Sequence, residues 1–595
     1  MNAKIILATS AAVIAIAGVG FEARDRAGDE RVPFVNPLLL SGSVCGGEAG
    51  GPGSTRAYFL RTGRAAAAEI QTTGAVDTSI TPQQTGSIAY AITTSSPLAQ
   101  AHFNAGVAHM WNFNHGAAAQ SFQAAQKADD QCAMCYWAEA LSYGPNINAP
   151  MFDETITPAW RALKAAQARA SAASEKEQAL INALSYRYQS AALKDRSKLD
   201  NAFADAMDEV AKKYPDDDFI AALAAEANMD TQPWDYWEQD GRTPKGRTAR
   251  TMSLLEAVLA RSPEYIPAIH LYIHMTENTQ NPYQATRYAD RLAALSPGLG
   301  HLIHMPSHTY YRIGRFKESL GVNVEAVAAD EAELAKGPAH PMYEFGYYVH
   351  NIHFVMTSAQ MAGDGATALA MAKKLDEKLP VQFVEEVPFA APIKAAPYFA
   401  MAQFAEPADI LALDDPGKDL FILQGAWRYA RGLAQARLGD GAAARAEAEA
   451  IARLVAETDF SVMEENRIPA RDILEISRLT VLAKAAQVDG DLDGAIEAME
   501  EAVALQDALN YTEPPYWYYP AKQTLAALVL QSGDAERAEQ LFLETLVESP
   551  NNGWALYGLS EAYKAQGDKN GAKYASGLFK QAWAGDSKSL TLARL

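Results

Sequence analysis

Gln531-Ser-Gly-Asp-Ala-Glu-Arg-Ala-Glu-Gln-Leu-Phe-Leu-Glu-Thr-Leu-Val-Glu-Ser-Pro550 is the stretch that decides the fold. Gly533-Asp534 is a turn signal. Ala538, Phe542 and Pro550 then fill the A-x3-F and Pro slots of a helix-turn-helix repeat with a period of about 34 residues. The same slots recur in Gly490-Asp491 with Ala495 and Met499, in Ala368, Ala372 and Pro380, and in Ala285, Ala289 and Pro297. Near the start, Gly106, Ala118 and Phe122 fill them again. From Leu98 onward, alanine-rich amphipathic segments alternate with short Gly-Asp, Ser-Pro or Pro-Asp breaks, and alternating β-branched runs are scarce. These features predict an all-α chain.

The repeat slots resemble tetratricopeptide repeats, and the resemblance implies a right-handed superhelical solenoid whose concave face is lined by the first helix of each pair. The chain is divided accordingly. Residues 1–20 read as a signal peptide, 21–97 as an extended or poorly ordered lead-in and 98–260 as helical repeats with irregular insertions. Residues 261–380 form a histidine-rich repeat region and 381–595 a C-terminal repeat region. Thr157-Pro158 and Pro215-Asp-Asp-Asp218 are expected helix starts, and Pro233-Trp-Asp-Tyr-Trp237 an aromatic loop.

The N-terminus carries Lys4, an apolar run from Ile5 to Phe21, and Gly18 and Gly20 as small residues for cleavage. A bacterial periplasmic or secreted location is expected, with no membrane span left after cleavage; retention as an anchor is the alternative reading of the same run. In that compartment Cys132-Ala-Met-Cys135 reads first as a local disulfide, the alternative being two free thiols. A formal charge of −21 argues against nucleic-acid binding, which needs clustered Lys and Arg.

The 11 histidines all fall between His102 and His353. Their spacing carries the functional reading. His270 and His274 recur one period later as His304 and His308, and the pair His301 and His304 recurs as His350 and His353 after an insertion. At about 100° per residue, His301, His304 and His308 share a face opposite the packing slots Pro306, Ser307 and Tyr310, and His270, His274 and Glu277 share another. A His-x3-His pair alone is an ordinary surface or core feature. Seven imidazoles directed into one groove from neighbouring helices predict one or two transition-metal ions, copper or zinc. The expected ligands are His270, His274, His304 and His308, with His301, His350, His353 and Glu277 as further ligands or support. Pro306 is the weak point, because it lacks a backbone donor and a break there would displace His308. His102 and His109 occupy packing slots and are expected in the core.

Competing motifs are few. Asp489-Gly-Asp491-Leu-Asp493-Gly494 with Glu500 satisfies a calcium-loop pattern, yet the same residues form a repeat turn, which is the expected reading. No phosphate-binding loop, nucleophile elbow, dinucleotide fingerprint or H-E-x-x-H occurs, so no catalytic residue is assigned. Beyond the generic repeat, Cys132-Ala-Met-Cys-Tyr-Trp-Ala-Glu-Ala-Leu-Ser-Tyr-Gly-Pro-Asn-Ile-Asn148, His270-Leu-Tyr-Ile-His-Met275, His304-Met-Pro-Ser-His-Thr-Tyr310, His350-Asn-Ile-His-Phe354 and Asn552-Gly-Trp-Ala-Leu-Tyr-Gly-Leu559 resemble a group of large secreted bacterial tetratricopeptide-repeat proteins of unassigned activity. That resemblance implies fold and envelope location only. The metal reading competes with two others. One is an envelope scaffold binding a protein or peptide partner in the groove through Tyr310, Tyr311 and Arg312; the other is a metal-dependent enzyme.

Overall fold

The computed structural model describes residues 88–190, 195–337, 339–588 and 590–595; the expected signal segment, Cys45 and the first part of the lead-in lie outside them. Helices follow one another from Pro97 to Ala582. Among the described residues there is no strand, only the isolated bridges Asn146–Ala149 and Trp237–Pro244. The chain is an all-α helical-repeat solenoid. Among the described residues, no helix is long and apolar enough to cross a membrane.

The turns show why these sequences fold this way. Gly363, Gly439, Gly490, Gly533 and Gly567 each take a positive φ, between 75° and 99°, which ends one helix at little steric cost. The aspartate that follows accepts a hydrogen bond from a backbone N–H at the start of the next helix. At Gly490-Asp491 this arrangement starts the Leu492–Asp507 helix directly, so the stretch is a repeat turn and not a calcium loop. Between paired helices the Gly and Phe slots turn out to be one contact. A Cβ on Gly106 would stand 2.4 Å from the Phe122 ring, and one on Gly558 2.1 Å from Phe542.

Two expected helix starts fare differently. Asp217 caps the Asp218–Met229 helix. Thr157-Pro158, however, does not open a helix: the Asp153–Arg169 helix begins earlier, with Asp153 and Glu154 favouring its first turn, and Pro158 lies inside it. The feared break at Pro306 is slight. Gly300–His304 and Pro306–Arg312 are successive helices, and Met305 between them keeps helical angles, φ −50° and ψ −38°.

Segments near both ends of the described residues contact the histidine region. Asn112 Oδ1 accepts from Leu302 N (3.2 Å), Trp554 Nε1 donates to the Gln360 carbonyl (3.0 Å), and the Trp583 ring covers Gly363. The interior of the curve is therefore filled with side chains. The histidine face expected to line an open groove is buried, because N-terminal and C-terminal segments close over it.

Candidate metal centre

The Ile266–Thr276 helix presents His270 and His274 one turn apart, with Glu277 at its end. Gly300–His304 contributes His301 and His304, and Pro306–Arg312 contributes His308. His350 follows a π-helical stretch, Met342–Tyr348, which runs straight into Val349–Ala362. These side chains gather into two adjacent triads. In one, nitrogens of His270, His274 and His301 lie within 4.8 Å of one another; in the other, those of His304, His308 and His350 do. His274 and His308 join the two, their ring centroids 5.6 Å apart.

Hydrogen bonds orient three of these rings, whereas His270 Nδ1 and His301 Nδ1 have no partner. His274 Nδ1 is 2.9 Å from Glu277 Oε1, and His304 Nδ1 is 2.5 Å from Asn323 Oδ1. Asn323 is itself held, donating through Nδ2 to the Ser319 carbonyl at 2.7 Å. His308 Nδ1 faces both Glu513 and, at 2.7 Å, Glu277 Oε2. One N–H cannot serve both: its direction suits Glu513, and Glu277 Oε2 is left without a donor. With Nδ1 of His274 and of His304 engaged in this way, Nε2 is the nitrogen these two rings have left for another partner, an arrangement that orients metal-ligating histidines. The Nε2 atoms converge. His304 Nε2 and His308 Nε2 are 2.7 Å apart, His270 Nε2 and His301 Nε2 3.0 Å apart, and buried His274 Nε2 has no partner.

Two nitrogens at about 2.0 Å on one tetrahedral zinc are about 3.3 Å apart. The observed pairs are a few tenths of an ångström tighter, a difference that small rotations of the rings would supply.

Burial sets the protonation states. It lowers His270 to about 3, helped by the neighbouring charge on His308, and holds His274, His301, His304 and His350 well below the ordinary imidazole value. Neutral imidazole is the ligating form. His308 goes the other way: burial opposes its charge, but the facing carboxylates of Glu513 and Glu277 push it up to about 10. Burial and the nearby Glu513 raise Glu277 well above the carboxylate range. A cation at this point would satisfy both carboxylates and replace the proton on His308.

Not every expected residue joins. His353 Nε2 instead lies 2.9 Å from the Tyr518 hydroxyl, and burial lowers this histidine to about 3. Met275 and Met305, which follow His274 and His304 in sequence, are fully buried core. His109 is in the core as expected, whereas His102 is only half-buried. His115 and His340 pack away from the triads, both lowered to about 4 by burial. Cys132 and Cys135 are joined as a disulfide at the start of the Ala133–Ser142 helix. Of the expected recognition residues, Tyr311 and Arg312 line a cavity beside His308. Tyr310 instead donates to Asp290 (3.0 Å) and is buried.

Glu513 escaped the sequence reading, as did two aromatic covers. Phe113 stacks on His301 (4.8 Å between centroids) and tilts onto His270 (4.7 Å), while Trp234 meets His274 edge-on at 5.3 Å. Both have positive φ, 54° and 63°, a conformation costing about 1–3 kcal/mol for such residues. Both strained residues touch the first triad; Arg467 and Asn551, away from it, also have positive φ. The aromatic loop Pro233–Trp237 was legible; its destination was not.

No protein-family model and no curated protein matches this chain. Among solved structures it is similar to the human IFIT1 dimer with m7Gppp-AAAA, at 12% identity over 85% of this chain and 95% of that one, TM-score 0.26. It is similar also to the APC/C hetero-tetramer Cut9-Hcn1, at 11% identity over 83% and 78%, TM-score 0.27. A third similarity is to Naa15/Naa10 bound to HypK-THB, at 12% over 81% and 69%, TM-score 0.19. Likeness at this level extends to an array of helices and carries nothing about ligands.

Proposed function

We propose that this chain is an exported helical-repeat protein that holds transition-metal ions, copper or zinc, at its two histidine triads. The observation that supports this reading is the tethering of Nδ1 in His274, His304 and His308 to oxygen acceptors, while Nε2 atoms converge in pairs at 2.7 and 3.0 Å. Nitrogens of six imidazoles gather into two groups of three, a grouping that a bound cation accounts for. Imidazole nitrogens with a nearby carboxylate suit zinc, copper or iron far better than magnesium or calcium. Export is supported by the basic, apolar and small-residue order of the first 20 positions, and the Cys132–Cys135 bond suits an oxidising compartment.

A second reading, a metal-dependent enzyme, is favoured by one feature. Three protein ligands leave a fourth position open on a tetrahedral ion, as in catalytic zinc sites, and the second triad borders a cavity at His308. Elemental analysis of protein purified without a histidine tag tests the metal reading. About two equivalents are expected; less than about half an equivalent, with no uptake on titration, ends it.

A further inference from the structure

The cavity beside the second triad has a volume of about 240 Å³, and its wall includes His308, Tyr311, Arg312, Glu513, Trp517 and Tyr518. A cavity of about 150 Å³ holds benzene. This one has room for a single ring with a short substituent and little more. About half of its wall is aromatic rings and prolines, surfaces on which a flat ring stacks.

The charges in the wall are unequally matched. Glu548 is paired with Lys522, and Glu513 with His308. Arg312 makes no ion pair with any carboxylate among the described residues; its Nη2 donates to the Thr279 carbonyl at 3.1 Å, its Nε has no hydrogen-bond partner, and its guanidinium lies 5.4 Å from the Tyr511 ring centroid. A guanidinium offers five donors in a planar fork that a carboxylate engages through two parallel bonds. The buried Tyr516 hydroxyl, also in the wall, lacks a partner as well.

We infer that this cavity is a binding site for a small aromatic carboxylate. Its carboxylate is held by Arg312, its ring lies among Tyr311, Trp517 and Tyr518, and its bound position is next to His308. Arg312 and these aromatic residues belong to neither triad, so the inference stands or falls apart from the metal reading. An ion held by His304, His308 and His350 would simply sit at the edge of the same space.

The test is a titration of the full-length protein, as purified and after metal removal, with benzoate as probe, followed by tryptophan fluorescence and calorimetry. Benzyl alcohol serves as the uncharged ring and inorganic phosphate as the ringless anion. Benzoate is expected to saturate one site in both preparations, with the other two probes weaker by at least about tenfold. Arg312→Met is expected to weaken benzoate by about tenfold or more and leave benzyl alcohol unchanged. The proposal is overturned if benzoate does not saturate, if either control matches it, or if a folded Arg312→Met protein binds it undiminished. Should that variant fail to fold, the three probes on the unaltered protein decide alone. Metal content measured on the same samples keeps loss of the ion distinct from loss of the cavity.

Discussion

The repeats from Gly439 to Ala582 and the helices that carry the clustered histidines are built from one pattern and obey different rules. In the former, turns pair a left-handed glycine with a capping aspartate, and the ion pairs Arg445–Asp489 and Arg537–Glu500 lie at the surface. The helices bearing His270, His301, His308 and His350 start without a side-chain cap. His270 and Glu277 are completely buried there, with His270 Nδ1 and Glu277 Oε2 unpaired. An unmatched buried polar group costs about 1–3 kcal/mol. One region is thus arranged for its own stability, and the other tolerates local instability that a bound cation would relieve.

The strongest way to break this contrast is to remove imidazoles from both triads. His270→Ala with His304→Ala is expected to take metal content from about two equivalents to near zero, since structural zinc binding amounts to about 10 kcal/mol or more. Elemental analysis reads the result. Unchanged content would leave the fold standing and dismiss these residues as ligands.

Acid separates the regions next. Burial holds His109 at about 4 in the folded protein against an ordinary 6.5, and it is only 4% exposed. Between these values the unfolded chain binds more protons. The stability due to neutral His109 is therefore complete above about pH 6.5 and is lost as pH falls toward 4, by about 3 kcal/mol in all. Urea titrations at pH 7, 5.5 and 4 should show this loss added to that of the other buried histidines, and His109→Gln should lessen the total by the share of His109.

Glu513 sharpens the comparison, because it is the carboxylate that the histidine-free C-terminal part lends to the site. Glu513→Gln is expected to lower metal affinity about 10- to 100-fold, measured by chelator competition, with the fold unchanged in circular dichroism. Equal affinity would reduce Glu513 to a surface neighbour. The smallest effect belongs to the scaffold: Asp534→Ala should cost about 1 kcal/mol in unfolding titrations and leave metal content untouched.

These contrasts also explain what could be read from sequence. Repeat turns are local, so Gly490-Asp491 and Gly533-Asp534 announce themselves, and a constant period carries His270 and His274 to His304 and His308. His353 shows the limit of that arithmetic: the insertion and the π-helical stretch before it alter the register, and its ring meets Tyr518 instead. Pro158 inside a helix shows that a favourable helix start yields to an earlier one when acidic residues precede it. Glu513, Phe113 and Trp234 lie on loops with no periodicity, and their approach to the triads depends on how the curve closes. Nothing local encodes that. A lone Glu just before the Pro-bounded aromatic run Pro514–Pro520 was the available signal, and it carried no indication of a partner about 200 residues away.

The closure of the curve also has a consequence in time. Phe113 and Glu513 cover the same cluster yet are 400 positions apart. At about 5–20 residues per second, synthesis separates them by about 20–80 s. The imidazoles from His270 to His350 are made within that interval and then lack Glu513, so the cluster is complete only when most of the chain has been made. If the cluster holds an ion, that ion meets its full set of neighbours only on a chain made past Glu513.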